Sequence, residues 1–287
     1  MYKIGIIGKG FVGSAVFNGF KDNKNFESQI RIHDKNKKLS SHSLEETVNE
    51  SDYIFLSIPT PANFNGSINL DILEGCLSDI SLIQKNDCII LIRSTIVPGS
   101  TSYFAKKFPK LKIVFNPEFL TEKNANEDFV NQSRVILGGD KDCTQKVKRL
   151  YRKRFGSLLP VICTNYETAE LIKYMNNCFL ATKVSFMNEM KILSNHINVD
   201  WEKAVEGFAL DERVGDSHLS VPGHDGKLGF GGSCFPKDLQ ALIYFAEQLN
   251  VDLNVLKGTW ETNLDIRKER DWENLKGRAI IKSEEKS

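Results

Sequence analysis

A doubly wound parallel α/β sheet followed by an all-helical domain is the fold class that this 287-residue sequence predicts. Three observations carry it. Short apolar runs recur through the first half at spacings that leave room for a helix between them. The first run ends in Gly8-Lys-Gly-Phe-Val-Gly13, a glycine turn that opens a helix. In the second half, Glu167 to about Asn198 has helical composition with neither proline nor glycine. The length allows two domains. The expected division is 1–164 for the sheet, 165–274 for the central helical domain and 275–287 for a stub.

Ile4-Gly-Ile-Ile7 is the first strand, and Ser14 to Phe20 continues the turn with helical spacing. Gly8 permits the tight bend, Gly10 lets a pyrophosphate approach the backbone, and Gly13 allows close helix–strand packing. The pyrophosphate then sits on the helix N-terminus, with Phe11 and Val12 among the cofactor-binding residues. Gln29 to Asp34 reads as the second strand and ends in an acid. Asp34 is placed to accept hydrogen bonds from ribose hydroxyls, which favours NAD over NADP, although Lys35 beside it is compatible with a 2′-phosphate. Strand, turn, helix and acid together predict a dinucleotide site of Rossmann type. An ordinary βαβ turn with a surface aspartate is the competing reading.

Tyr53–Ser57, Cys88–Ile92, Lys112–Phe115 and Arg134–Leu137 follow as strands. Their near-continuous apolar character predicts a parallel sheet covered on both faces. Ligands of such sheets bind beyond the carboxyl ends of the strands. At those ends stand Ile58-Pro-Thr-Pro61, Arg93-Ser-Thr95 and Asn116-Pro-Glu-Phe-Leu-Thr-Glu122. Turn chemistry alone also places prolines at strand exits.

The long helix has Thr164 or Asn165 as its cap, and Glu167 and Glu170 in its first turns, where carboxylates suit the helix dipole. Lys173 and Asn177 are four apart and share a face, so an ammonium and an amide there can both donate to a developing oxyanion. An exposed Lys–Asn pair is the alternative; Leu171, Ile172, Phe179, Leu180, Val184 and Phe186 leave little of the helix clearly exposed. Such a helix reads as the spine between two domains. Further on, Gly229-Phe-Gly-Gly-Ser-Cys-Phe-Pro-Lys-Asp238 puts Cys234 after a glycine run and just before Lys237 and Asp238. A thiol at such a bend is a candidate nucleophile. A glycine turn with a buried structural cysteine is the competing reading.

Composition is that of an ordinary globular protein, 41% hydrophobic and 26% charged, with a net charge of +1. The mixed charge gives no footprint for nucleic acid or a membrane surface. No apolar run approaches the ~20 residues of a membrane span. Tyr2 to Ile7 reads as a buried strand and not a signal peptide. The six cysteines lack CxxC pairing or metal-ligand spacing, so a reduced, cytoplasmic protein without a metal site is expected.

With these segments in order, the chain resembles the UDP-glucose/GDP-mannose dehydrogenase family, most closely its UDP-glucose 6-dehydrogenase branch. The motifs are Gly8–Gly13, Pro59-Thr-Pro61 with Gly66, Arg93-Ser-Thr95, Asn116-Pro-Glu-Phe-Leu120 with Glu122, Ala169–Leu180 and Gly229–Asp238. The resemblance implies oxidation of a sugar C6 alcohol to a carboxylate with two NAD, through a thiohemiacetal and a thioester on Cys234. UDP-glucose is the first candidate substrate. Lys173 and Asn177 would stabilise oxyanions, Asp238 would activate the nucleophile or a water, and Glu118 and Thr95 would handle water for hydrolysis. Pro59, Thr60, Thr95 and Glu122 would contact the cofactor. Phe119, Leu120, Phe230, Gly231 and Gly232 would lie near the sugar. Arg213 matches an arginine that reaches the substrate phosphate across a homodimer interface.

Two departures from the family pattern stand out. Val221-Pro-Gly-His-Asp-Gly-Lys-Leu228 has the character of an insertion, with Lys227 either solvated or near a phosphate. Leu275 to Ile281 looks like the first strand of the family's third domain, after which the sequence ends. The resemblance therefore implies cofactor and central domains without the nucleotide-binding cap, or a partner chain that completes it. A two-domain hydroxyacid-type dehydrogenase with one hydride transfer, and a non-catalytic NAD-binding remnant, are the alternatives.

Overall fold

The computed structural model describes residues 1–281. They form two compact units: Met1–Thr60 with Leu70–Lys173, and Pro61–Asn69 with the chain from Tyr174 onward. The division between these units falls inside the long helix.

The first unit is a seven-stranded sheet in the order β2-β1-β3-β4-β5-β6-β7. Its strands are β1 (Tyr2–Ile7), β2 (Ser28–His33), β3 (Tyr53–Leu56), β4 (Ile89–Ile92), β5 (Lys112–Phe115), β6 (Val135–Gly139) and β7 (Val161–Thr164). The expected strands are all present, and β7 is an addition. Val161-Ile-Cys-Thr is short and only half-buried, so it carries little apolar signal. The sheet is also not wholly parallel, because β6 runs antiparallel to β5. The intervening α5 (Ala125–Val130) has six residues, about 9 Å of helix.

Each face of this sheet is covered. On one lie α1 (Phe11–Phe20), α5 and α6 (Lys141–Phe155). Phe20 sits at the centre of an aromatic cluster, 5.1 Å from Phe55, 5.8 Å from Phe129 and 5.4 Å from Tyr151 between ring centres. Burying each such ring contributes about 1.5–3 kcal/mol. On the other face, α2 (Leu44–Asn49), α3 (Asp71–Ile83) and α4 (Ser100–Lys107) bury Val48, Leu73, Leu77 and Phe104 against Ile54, Ile90 and Ile92. Both faces being apolar explains the near-continuous runs in the sequence.

α7 (Tyr166–Ser194) runs from the first unit into the second and is capped by Asn165, whose Oδ1 accepts from Thr168 N at 2.9 Å. The second unit adds α8 (Trp201–Ala209), α9 (Phe235–Gln248) and α10 (Asn254–Ile266). Contrary to expectation, Leu171, Phe179 and Phe186 are exposed on α7. The excursion 61–69 belongs to this unit through Ala62, whose N–H donates to Ala279 O at 2.8 Å and whose carbonyl accepts from Ile281 N at 2.9 Å. Leu275 to Ile281 is not a strand. Gly277, at φ +78°, turns the chain back so that its N–H meets Ile280 O at 2.6 Å, leaving only isolated bridges. Residues 282–287 of the expected stub lie outside the described residues.

Candidate active site

The order of strands reverses direction between β1 and β3, the place where doubly wound sheets bind ligands. The glycine turn stands there. Gly8 has φ +87°, and a Cβ on it would lie 2.4 Å from Ser57 O. A Cβ on Gly13 would lie 1.9 Å from Gly8 O, so helix and turn meet more closely than any side chain allows. A Cβ on Gly10 would meet nothing within 4 Å. That open space, above a helix whose cap at Gly10 has no side-chain hydrogen bond, suits a pyrophosphate. Phe11 and Val12 begin this helix and are half-buried. Asp34 is fixed at the rim: Oδ2 accepts from Lys9 N at 2.6 Å and Oδ1 from Asn36 N at 2.7 Å. Each oxygen retains acceptor capacity for a ribose hydroxyl. These residues fit an NAD molecule.

The strand exits are tied together. Thr60 Oγ1 donates to Thr95 O at 2.8 Å, and Ser94 Oγ donates to Ile58 O at 2.5 Å. Pro59 is exposed, Thr60 buried and Thr95 half-buried. Two residues of the exit motifs face the sheet core. The buried Arg93 donates from Nη1 to Asn116 Oδ1 at 2.6 Å and to Tyr151 Oη at 3.1 Å, over the Phe129 ring. Asn116 Nδ2 donates to Ile136 O at 3.0 Å. They hold the ends of β4, β5 and β6 in place, which positions the segment after β5.

That segment carries Glu118, which is buried, as is Lys173. Lys173 Nζ donates to Glu118 O at 2.6 Å and to Glu118 Oε1 at 3.0 Å, and Glu118 Oε2 accepts from Leu120 N at 2.7 Å. Lys173 Nζ also lies 5.4 Å from the centre of the Phe119 ring. Glu118, Phe119, Leu120 and Lys173 thus form one cluster. Glu122 is exposed in the turn before α5.

Glu170, one turn before Lys173, was expected to favour its own helix dipole. It caps a different helix. Its Oε2 accepts from Gly99 N at 2.7 Å, and its Oε1 accepts from Thr101 N at 2.7 Å and Thr101 Oγ1 at 2.6 Å. The start of α4, just beyond Thr95, is therefore pinned to α7. Burial pushes this carboxyl up to about 7, against the pull of the three donors.

In the second unit, Cys234 is the N-cap of α9, with Pro236 in the first turn. The thiol thus stands at the N-terminal end of a 14-residue helix. Ser233 Oγ lies 3.7 Å from Cys234 Sγ. Beside it runs a buried polar chain: Asn177 Nδ2 donates to Asp238 Oδ2 at 2.6 Å, and Lys237 Nζ donates to Asp238 Oδ1 at 2.5 Å. Other thiols are held differently. Burial pushes Cys76 and Cys88 up to about 12 and raises Cys178 as well, which keeps them protonated at neutral pH. Among the described residues none of the six cysteines is in a disulfide.

Lys173 and Asn177 keep the four-residue spacing on one helix, but each already has a carboxylate partner, Glu118 and Asp238 respectively. Phe230 is buried, and Gly231 and Gly232 are half-buried, in the loop before Cys234. Arg213 is exposed, and its Nη2 lies 2.5 Å from Asp211 Oδ2. Lys227 keeps part of its side chain in solvent and pairs with the exposed Glu269. The residues that sequence reasoning missed are Asn188, Asn263, Arg267 and Asp271, which hold this loop. No local signal marks them, because they contact it from 33 to 41 positions away. Among the described residues no cluster of acidic, histidine or cysteine side chains could hold a metal ion, and no helix is long and apolar enough to cross a membrane.

Comparison with known proteins bears on the family and the fold. The model of the UDP-glucose/GDP-mannose dehydrogenase family NAD-binding domain matches residues 22–155, and that of the family's central domain matches residues 167–265. The glycine turn precedes the first match, so its assignment rests on the geometry above. A protein of Rickettsia bellii named UDP-glucose 6-dehydrogenase is 35% identical over 231 residues, 79% of this chain and 52% of that protein. The chain spans about half the length of the curated relatives it matches. A UDP-glucose dehydrogenase structure from the hyperthermophilic archaeon Pyrobaculum islandicum superposes with a TM-score of 0.81 at 28% identity, covering 92% of this chain and 68% of that one. A 3-hydroxyisobutyrate dehydrogenase of Mycobacterium tuberculosis shares the fold, with a TM-score of 0.74 at 15% identity, covering 94% of this chain and 95% of that one.

Proposed function

Since the chain belongs to the UDP-glucose/GDP-mannose dehydrogenase family, we propose that it is an NAD-dependent nucleotide-sugar 6-dehydrogenase, oxidising the C6 alcohol of a UDP-hexose to the carboxylate. UDP-glucose is the substrate to try first, because the relatives that carry the same segments bear its name. NAD, when bound, accepts one hydride in each of the two oxidations. Gly8, Gly10, Gly13 and Asp34 hold it, with Phe11, Val12, Pro59, Thr60, Thr95 and Glu122 alongside. The observation that carries the reading is Cys234 at the N-terminus of α9 beside the buried Asn177–Asp238–Lys237 chain.

In this reading the first oxidation yields an aldehyde at C6. Cys234 Sγ adds to its carbonyl carbon, the C=O π pair moves to oxygen, and Lys173 and Asn177 donate to that oxyanion. Loss of the second hydride from the sp³ carbon leaves a thioester. Water, positioned by Glu118 and Thr95, then adds at C6, and the C–S bond breaks to return the thiol. Asp238 moves the proton to and from sulfur or water. Phe119, Leu120, Phe230, Gly231 and Gly232 line the sugar, and Arg213 reaches the substrate phosphate of a second copy.

A homodimer is part of the same proposal. Met175, Phe179, Phe186, Met190 and Leu193 recur on one face of α7, and most are well exposed. With Trp201 and Phe208 of α8 the last of them line an apolar cavity of about 280 Å³. A second copy covering this face removes the patch from water. Six cysteines without a disulfide among them favour a reducing compartment, the cytoplasm.

The test is NADH formation with UDP-glucose, expected at two equivalents per sugar and lost in Cys234→Ser. Turnover that survives Cys234→Ala replaces the reading with a single hydride transfer that needs Lys173 but no thiol. NAD binding without turnover of any nucleotide sugar overturns both.

A further inference from the structure

We propose that Asn263 is the positioning residue of the thiol loop: its carboxamide, with Asn188 and Asp271, sets the backbone of Gly229–Gly232 and through it the place of Cys234. The catalytic consequence rests on the reading of Cys234 as nucleophile, whereas the geometry does not.

Asn263 is fully buried in the last turn of α10. Its Oδ1 accepts from Phe230 N at 2.7 Å and its Nδ2 donates to Phe230 O at 3.0 Å, so both polar groups of one residue are held by one side chain. Asn188 Oδ1, on α7, accepts from Gly229 N at 3.1 Å. Asp271 Oδ2 accepts from Gly232 N at 2.8 Å. Asp271 is itself fixed by Arg267, whose Nη2 lies 2.9 Å from Asp271 Oδ1 and 2.8 Å from Asp225 Oδ2. The Asp225 contact brings in the segment Val221–Leu228, so that segment is a brace for the thiol loop.

The loop needs these anchors. Three of its four residues are glycines, which have the greatest backbone freedom to lose, and 229–232 forms no strand or helix. A Cβ on Gly229 would lie 2.4 Å from Asn263 Oδ1, so glycine is what admits the amide at this range. Buried polar groups stabilise only when fully satisfied, and apolar packing is the less demanding way to bury a loop whose register is immaterial. Directional hydrogen bonds to successive peptide units serve a loop that must deliver one atom to one place.

The experiment compares wild type with Asn263→Ala and Asn188→Ala in three measurements: NAD affinity, the kcat and KM for UDP-glucose, and the rate of iodoacetamide alkylation of Cys234 followed by peptide mass spectrometry. In Asn263→Ala, kcat falls on the order of a hundredfold, the scale of a misplaced reacting group. NAD affinity stays within about twofold, because the glycine turn is untouched. Alkylation of Cys234 quickens by roughly tenfold as the loop releases the half-buried thiol. Asn188→Ala, which removes one hydrogen bond to the loop, shows the same pattern about tenfold more weakly in kcat. Asn263→Asp, which keeps the acceptor toward Phe230 N and loses the donor, falls between. A folded Asn263→Ala with wild-type alkylation of Cys234 overturns the proposal; if that variant does not fold, the same result in Asn188→Ala does so. A wild-type protein without dehydrogenase activity defeats the functional reading alone, and the alkylation rates still decide the loop.

Discussion

The two glycine segments of this protein reach a fixed shape by opposite means. Gly8–Gly13 is set by main chain against main chain: Gly13 packs on the Gly8 carbonyl, Gly8 packs on Ser57, and the space over Gly10 is open. Gly229–Gly232 is set by side chains from elsewhere, Asn188, Asn263 and Asp271, each bonded to a peptide group. In the first, glycine is required because a backbone must come close. In the second, it is required because an amide or carboxylate must come close. A turn proposed to take a cofactor needs room for a ligand, whereas a loop proposed to carry a nucleophile needs its own atoms held.

This contrast can be broken by substitution, beginning with the largest effect. Gly13→Ala should cost about 4 kcal/mol and abolish NAD binding together with the fold around it, since the clash is with backbone that cannot swing away. Thermal melts with and without NAD measure it, and a stable variant that binds NAD removes the premise. Glu170 comes next, because it anchors the start of α4 as Asn263 anchors the thiol loop. Burial raises its folded carboxyl from 4.5 to about 7, so the folded state keeps a proton that the unfolded chain gives up. Stability is therefore greatest below about pH 4.5 for this group and declines through pH 7, by on the order of 3 kcal/mol. That decline should vanish in Glu170→Gln, read by denaturant melts at pH 5 and pH 8.

Gly229→Ala should cost about 2 kcal/mol, from the positive φ and the crowded Asn263, and side-chain relaxation keeps it below the Gly13 value. If it equals Gly13→Ala, the distinction between backbone and side-chain anchoring fails. Gly10→Ala is the smallest in stability, within about 0.5 kcal/mol, because its Cβ meets nothing. Its NAD affinity should nevertheless drop, which isothermal titration would detect; an unchanged affinity places the pyrophosphate elsewhere.

How far the sequence could be read follows the same line. β1, the glycine turn, α1 and Asp34 were legible because their causes lie within about thirty residues of one another and obey fixed spacing. Lys173 and Asn177 were legible as a pair, but their carboxylate partners, 55 and 61 residues away, were not. The antiparallel β6 escaped because an apolar run carries no direction, and β7 escaped because it is short and half-exposed. Glu170 was assigned to its own helix on position alone, whereas α4 claims it through three hydrogen bonds. The apolar residues at 171, 179 and 186 were expected to be mostly covered, since periodicity says which residues share a face and not whether this chain covers it.

The sequence by itself determined the doubly wound sheet, the glycine turn and the helix that follows it, because strand periodicity, glycine spacing and helix caps act between near neighbours. Only the tertiary structure decided what holds the thiol loop, which carboxylate meets each donor on α7, and where the Val221–Leu228 segment belongs. Those depend on hydrogen bonds between residues distant in the chain, and their short-range, directional energy leaves no periodic trace in the order of the amino acids.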